Sequence, residues 1–156
     1  MLTFSRTDST NSDFQQLVQQ LDAYLRILNG DEHSIYSQFN GIESLRYVVV
    51  AYHGTTPVGC GAVKPYDAAH TEIKRMYVLP TQRGQGVASR ILNELEAWSY
   101  ELGFQGTVLE TASDMPDAIG LYTKNGYERI PNYGPYAGMP RSVCMKKEGP
   151  VQLPPA

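Results

Sequence analysis

Residues 78–89 read VLPTQRGQGVAS, an apolar strand end that passes through a proline and two glycines into a helix. Such a turn points several backbone N–H groups in one direction, and with the positive end of the helix dipole they favour a phosphate or pyrophosphate. Gly84 and Gly86 let a ligand approach the backbone, and Arg83 adds a local positive charge. A nucleotide-triphosphate loop would need Gly-Lys-Ser/Thr at the helix start, where this chain has Gly86-Val87-Ala88. A dinucleotide fingerprint is nearer, with Gly84-Gln85-Gly86-Val87-Ala88-Ser89 followed by Glu110 at the end of the next strand. It has Ser89 at the third glycine position, however, and no second βαβ half follows. Spacing alone leaves a plain turn and a phosphate cradle evenly matched.

The elements that must position this turn follow from periodicity. Leu2 to Ser5 reads as a short strand, and Ser12 as an N-cap with Gln15 as its capping-box partner. Phe14, Leu17, Val18, Leu21, Leu25 and Leu28 then form one helical stripe that Asn29-Gly30 stops, while Asp31 to Glu43 is ambiguous. LRYVVVAYH and VGCGAVKPY, joined by HGTTP, predict an antiparallel hairpin. TEIKRMYVL predicts a strand from Thr71 that Pro80 terminates, because proline cannot donate to a sheet ladder. Val87, Ile91, Leu92, Leu95, Trp98 and Leu102 share a helical face that ends at Gly103. TVLE reads as a buried strand, Asp114 to Asn125 as a helix with Pro116 in its first turn, and SVCMKK as a final strand. Consecutive antiparallel strands with one central βαβ crossover predict an α+β fold rather than a doubly wound parallel sheet.

The 156-residue chain suits a single domain over 1–147, with 148–156 a flexible, proline-rich tail. A formal net charge of -3 gives no general attraction to nucleic acid or to an anionic membrane, so phosphate recognition must be local. The two cysteines and three histidines show no metal-ligand spacing, and neither Cys60 nor Cys144 has the His-Asp context of a nucleophile. No metal and no cysteine nucleophile is therefore expected. With no basic-then-apolar start and no apolar run of about 18 residues, a reduced cytoplasmic protein is expected.

Val78-Leu79-Pro80-Thr81-Gln82-Arg83-Gly84-Gln85-Gly86-Val87-Ala88 closely resembles the acetyl-coenzyme A loop of the GNAT superfamily of N-acetyltransferases, whose pattern is V-x-P-x-x-R-G-x-G-x-A/G. In the same order, Ala118-Ile119-Gly120-Leu121-Tyr122-Thr123-Lys124-Asn125-Gly126-Tyr127 resembles that superfamily's A-I-x-L-Y-x-x-x-G-F/Y segment. The likeness covers about residues 42 to 147. It implies a mixed, mostly antiparallel sheet flanked by helices, with a splayed parallel strand pair at Thr71 to Leu79 and Thr107 to Glu110.

The same resemblance implies acetyl-CoA as the acetyl donor and a primary amine of a small molecule, peptide or protein as the acceptor, with direct transfer between them. The backbone of Met76, Tyr77 and Val78 would face the pantetheine arm, and Arg83, Gly84, Gln85, Gly86, Val87 and Ala88 would cradle the pyrophosphate with Ser89 close by. Glu72 is the implied general base, with Glu110 and His70 as fallbacks, and Tyr122 the implied acid for the departing thiolate. The alternative for Glu72 is a solvated charge paired with Lys74, Arg75 or Arg129, and for Tyr122 simple packing. Met115 stands where many relatives carry Asn or Gln, which keeps open a non-catalytic acyl-CoA or metabolite-sensing module. In the aromatic, uncharged segment 131–140, Tyr133 and Tyr136 are candidates for an acceptor pocket, and Arg141 for an acceptor carboxylate. Neither nucleic acid nor membrane is expected as a partner, whereas an exposed strand edge could pair two copies as a homodimer.

Overall fold

The computed structural model describes residues 1–30 and 45–150, so the ambiguous stretch after Gly30 and residues 151–156 of the expected tail lie outside the described residues. The elements are β1 (Leu2–Thr7), α1 (Ser12–Asn29), β2 (Tyr47–His53), β3 (Thr56–Pro65), β4 (His70–Val78), α2 (Val87–Glu101), β5 (Gly106–Ala112), α3 (Pro116–Lys124), β6 (Glu128–Ile130) and β7 (Ser142–Glu148). The seven strands run in the order β1-β2-β3-β4-β5-β7-β6. The parallel ladder pairs His70–Glu72 of β4 with Gly106–Val108 of β5. The ladders β1–β2, β2–β3, β5–β7 and β6–β7 are antiparallel. This is the mixed α+β sheet that the order of elements predicts.

The chain forms two compact units, Met1–Lys64 with Ile73–Leu95, and Pro65–Glu72 with Glu96–Ala156. In the first, the apolar stripe of α1 buries Phe14, Leu17, Val18 and Leu21 with Val48, Val50, Cys60, Ala62 and Tyr77. Each such large side chain contributes about 1.5–3 kcal/mol. The helix begins one residue earlier than the Ser12 cap expected from sequence. Asn11 is the N-cap, its side-chain oxygen accepting the Phe14 N–H at 2.9 Å, and Gln15 donates to Ser9 O instead of closing a capping box. Asn11 wins because its extended backbone brings a carbonyl oxygen within reach of the third helical N–H. On β3, Gly61 is set by close packing, since a Cβ there would lie 2.5 Å from Met76 Sδ and 2.9 Å from Leu95 Cδ1. Within β4, Arg75 takes a left-handed φ of 59°, and its buried guanidinium pairs with Asp22 of α1.

In the second unit the α2 stripe departs from the expected one. Leu102 is 40% exposed, whereas Glu96 and Ser99 are buried. Pairing makes this possible. Ser99 Oγ shares a hydrogen bond with Thr71 Oγ1 at 2.8 Å, and Tyr127 OH donates to Glu96 Oε2 at 2.9 Å. Lys147 Nζ donates to Glu96 Oε1 at 2.9 Å, and Thr107 Oγ1 lies 2.6 Å from Tyr127 OH. Helix α3 starts on Pro116 with Met115 as its N-cap, two residues after the start expected at Asp114. Glu148, placed in the tail from sequence, is the last residue of β7, and Gly149 N–H donates to Gln105 O at 2.7 Å. Among the described residues no helix is long and apolar enough to cross a membrane.

Candidate active site

The glycine turn belongs to the first unit. After β4 ends at Val78, Pro80–Gln82 make a short 3-10 turn, and α2 opens at Val87. Gly84 and Gly86 both adopt left-handed φ, 80° and 79°, and a Cβ at either would meet nothing within 4 Å. Backbone conformation, not crowding, therefore selects glycine here, and the space beside both residues is open. The first turn of α2 carries no acidic side chain, and its leading N–H groups have no intrahelical acceptor. Arg83 is exposed, and it also braces the turn: Nε donates to Val78 O at 2.9 Å, and the guanidinium lies 5.7 Å from the centre of the Tyr77 ring. Tyr77 and Val78 are buried and Met76 is half-buried. The turn can present a row of donors and one cation to an anion.

The titratable side chains collect in the second unit. Glu72 is 5% exposed and accepts a hydrogen bond from Tyr133 OH at 2.6 Å, so it is not the solvated charge considered from sequence. Arg75, one of the partners considered for it, is engaged by Asp22. The Tyr133 ring meets Tyr66 and Tyr136 edge-on, at centroid distances of 4.7 and 5.8 Å. Asn132 Nδ2 donates to Met139 O and Ser142 O, which ties down the loop carrying Tyr133. Burial, reinforced by Glu72, pushes the Tyr133 hydroxyl far up, so it stays protonated and acts as a donor. Burial, then Asp67 and Glu72, also raise Tyr66.

Glu110 is half-buried and accepts from Ser142 Oγ at 2.9 Å, opposite Cys144 in the β5–β7 ladder. Tyr122 is buried with its ring edge-on to Tyr127, and burial followed by Glu110 pushes its hydroxyl well above the ordinary tyrosine range. His70, a fallback base, is poorly placed for that role. Its Nε2 lies 2.7 Å from Glu148 Oε1 and its Nδ1 3.0 Å from Asp67 Oδ1, so both nitrogens serve as donors to carboxylates. Burial opposes the charge, yet these bonds raise the imidazole and favour the imidazolium. Arg141 Nε donates to both oxygens of Asp114 at 3.1 Å, a bond that competes with an acceptor carboxylate. Both cysteines are buried free thiols, and burial pushes Cys60 up to about 12, far from a thiolate nucleophile.

The second unit thus brings Glu72, Tyr133 and Tyr136 together, and Glu110 with Ser142. Sequence reading missed Tyr66, whose only local signal is an aromatic residue at the exit of a strand, and it missed Ser142 and Asn132.

The Acetyltransferase (GNAT) family matches this chain over residues 14–127. An IAA acetyltransferase of Azospirillum brasilense is 33% identical over 149 residues, which cover 94% of this chain and 97% of that protein. The crystal structure of a Klebsiella pneumoniae protein assigned as an acyl-CoA N-acyltransferase superposes with a TM-score of 0.79 at 30% identity, covering 95% of this chain and 97% of that one. A GNAT family acetyltransferase of Elizabethkingia anophelis with acetyl-CoA bound shares the fold at a TM-score of 0.69 and 16% identity, over 94% of this chain and 97% of that one. With a family match across most of its length and a full-length relative above 30% identity, the chain belongs to the GNAT family and is an acetyl-CoA-dependent N-acetyltransferase.

Proposed function

We propose that the chain moves the acetyl group of acetyl-CoA directly to a primary amine of a small molecule, with the pyrophosphate seated on the turn from Arg83 to Ser89. The observation that carries this reading is the pair of left-handed glycines, Gly84 and Gly86, beside open space at the head of α2. In this reading the backbone of Met76, Tyr77 and Val78 faces the pantetheine arm, and the N–H near Val78 receives the oxyanion. Glu72 takes a proton from the acceptor ammonium, and the freed amine attacks the thioester carbonyl. A C–N bond forms, the C–S bond breaks, and Tyr122 protonates the leaving thiolate. The proton shed by the nitrogen on collapse restores the tyrosine, leaving an amide and free coenzyme A. Because the Tyr122 hydroxyl is raised it holds its proton until the thiolate develops, as a hydrogen-bond donor first and a weak acid second.

The relative named IAA acetyltransferase and a structural neighbour named aminoglycoside 6'-N-acetyltransferase support a small-molecule acceptor. Two buried free thiols fit a reduced cytoplasmic setting. The test is calorimetric titration of acetyl-CoA into the wild type and into Gly84→Ala/Gly86→Ala. Tight binding to the wild type and at least a tenfold loss in the variant is expected, and equal affinity would remove the turn from the binding site.

A further inference from the structure

On the reading that Glu72 is the general base, we infer that Tyr133 is its positioning residue: the Tyr133 hydroxyl donates to Glu72 Oε2 at 2.6 Å, holding the carboxylate in one orientation for the acceptor. Two features make this more than a chance contact. Tyr133 is itself fixed from several sides, by the rings of Tyr66 and Tyr136 and by the Asn132 side-chain amide beside it in sequence, which ties the loop to Met139 O and Ser142 O. A donor held this firmly makes a directional bond and costs little entropy when the carboxylate uses it.

The second feature is chemical. A carboxylate with 5% exposure has lost most of its water, and a neutral hydroxyl donor replaces part of that hydration without neutralising the charge a base requires. An arginine or lysine in the same place would weaken the base, whereas a tyrosine that keeps its proton does not compete for the one the acceptor gives up. Titratable groups on other elements also face Glu72. Among the described residues they include Tyr66 before β4, Tyr133 on the β6–β7 loop and Cys144 on β7, which also responds to Glu110 of β5. The tyrosine and cysteine side chains among these groups keep their protons, because burial raises each of them.

The aromatic loop is thereby given a role in base function as well as in acceptor shape. Tyr133→Phe keeps the ring contacts and deletes the donor, so it separates the two roles. Thiol release from acetyl-CoA would be followed with the fastest member of a primary-amine panel, from about pH 6 to about pH 10. The acid limb of the kcat/KM profile is expected to move to higher pH by about one unit. At a pH on that limb kcat should fall about tenfold, while KM for acetyl-CoA and the melting temperature stay near wild type. In the Glu72→Gln background the same change should add nothing.

A wild-type profile for Tyr133→Phe with an inactive Glu72→Gln would overturn this inference and leave the proposed function standing. A loss equal at every pH, together with a lower melting temperature, would also overturn it, as a structural effect. Full activity of Glu72→Gln would instead refute the base assignment, and no thiol release with any amine would overturn both.

Discussion

The glycine turn and the Glu72 cluster are opposite ways of making a site. The turn uses the backbone: Gly84 and Gly86 set its path, α2 supplies its donors, and Arg83 closes it on Val78 only five residues back. The cluster uses side chains that the fold must gather. Glu72 and Tyr133 are 61 residues apart and meet between β4 and the β6–β7 loop, while Glu110 and Ser142 are 32 apart and meet across the β5–β7 ladder. A local, exposed device tolerates changes in the rest of the protein. A buried network depends on every element that carries it.

The largest expected effect falls on the cluster. Glu72→Gln should lower kcat by about 10²–10⁴-fold, the usual worth of a positioned base, while acetyl-CoA affinity changes little. A comparable loss of cofactor affinity would blur the division between the two regions. The converse test is on the turn. Gly84→Ala and Gly86→Ala each force a Cβ into left-handed backbone at about 1–2 kcal/mol, so each should weaken acetyl-CoA by about tenfold with kcat at saturation retained.

Tyr122→Phe is expected to lower kcat by about tenfold or less without altering cofactor affinity, because a raised hydroxyl contributes more as a donor than as an acid. Unchanged turnover would assign Tyr122 to packing against Tyr127 alone. His70→Gln gives the smallest effect. Since the folded imidazole is raised, its contribution is fully present below the unfolded value of about 6.5 and is lost as pH rises through the folded one. The melting temperature of the variant should fall below wild type by about 1–4 °C at acidic pH, and the gap should close in alkaline buffer. A gap independent of pH would remove His70 as a charged link between Asp67 and Glu148.

The same contrast explains what the sequence could reveal. The turn was legible because a strand stop at Pro80, two glycines and an amphipathic helix are all local signals. The α+β sheet followed from the order of elements, and the β2–β3 hairpin from β-branched runs around a turn. Local competition hid the α1 cap, where Asn11 reaches Phe14 N–H and so displaces Ser12. Distance hid the rest. No spacing rule connects Tyr66 to Tyr133 or Ser142 to Glu110, and the burial of Glu96 depends on Tyr127 and Lys147 from other elements.

We propose a division of labour in which the turn holds the donor and the Glu72 cluster activates the acceptor. It is tested most directly by measuring, on wild type and Glu72→Gln side by side, acetyl-CoA affinity by calorimetry and amine-dependent thiol release. The predicted result is equal affinity with turnover in Glu72→Gln reduced by at least about 10²-fold. Wild-type turnover in Glu72→Gln would contradict it.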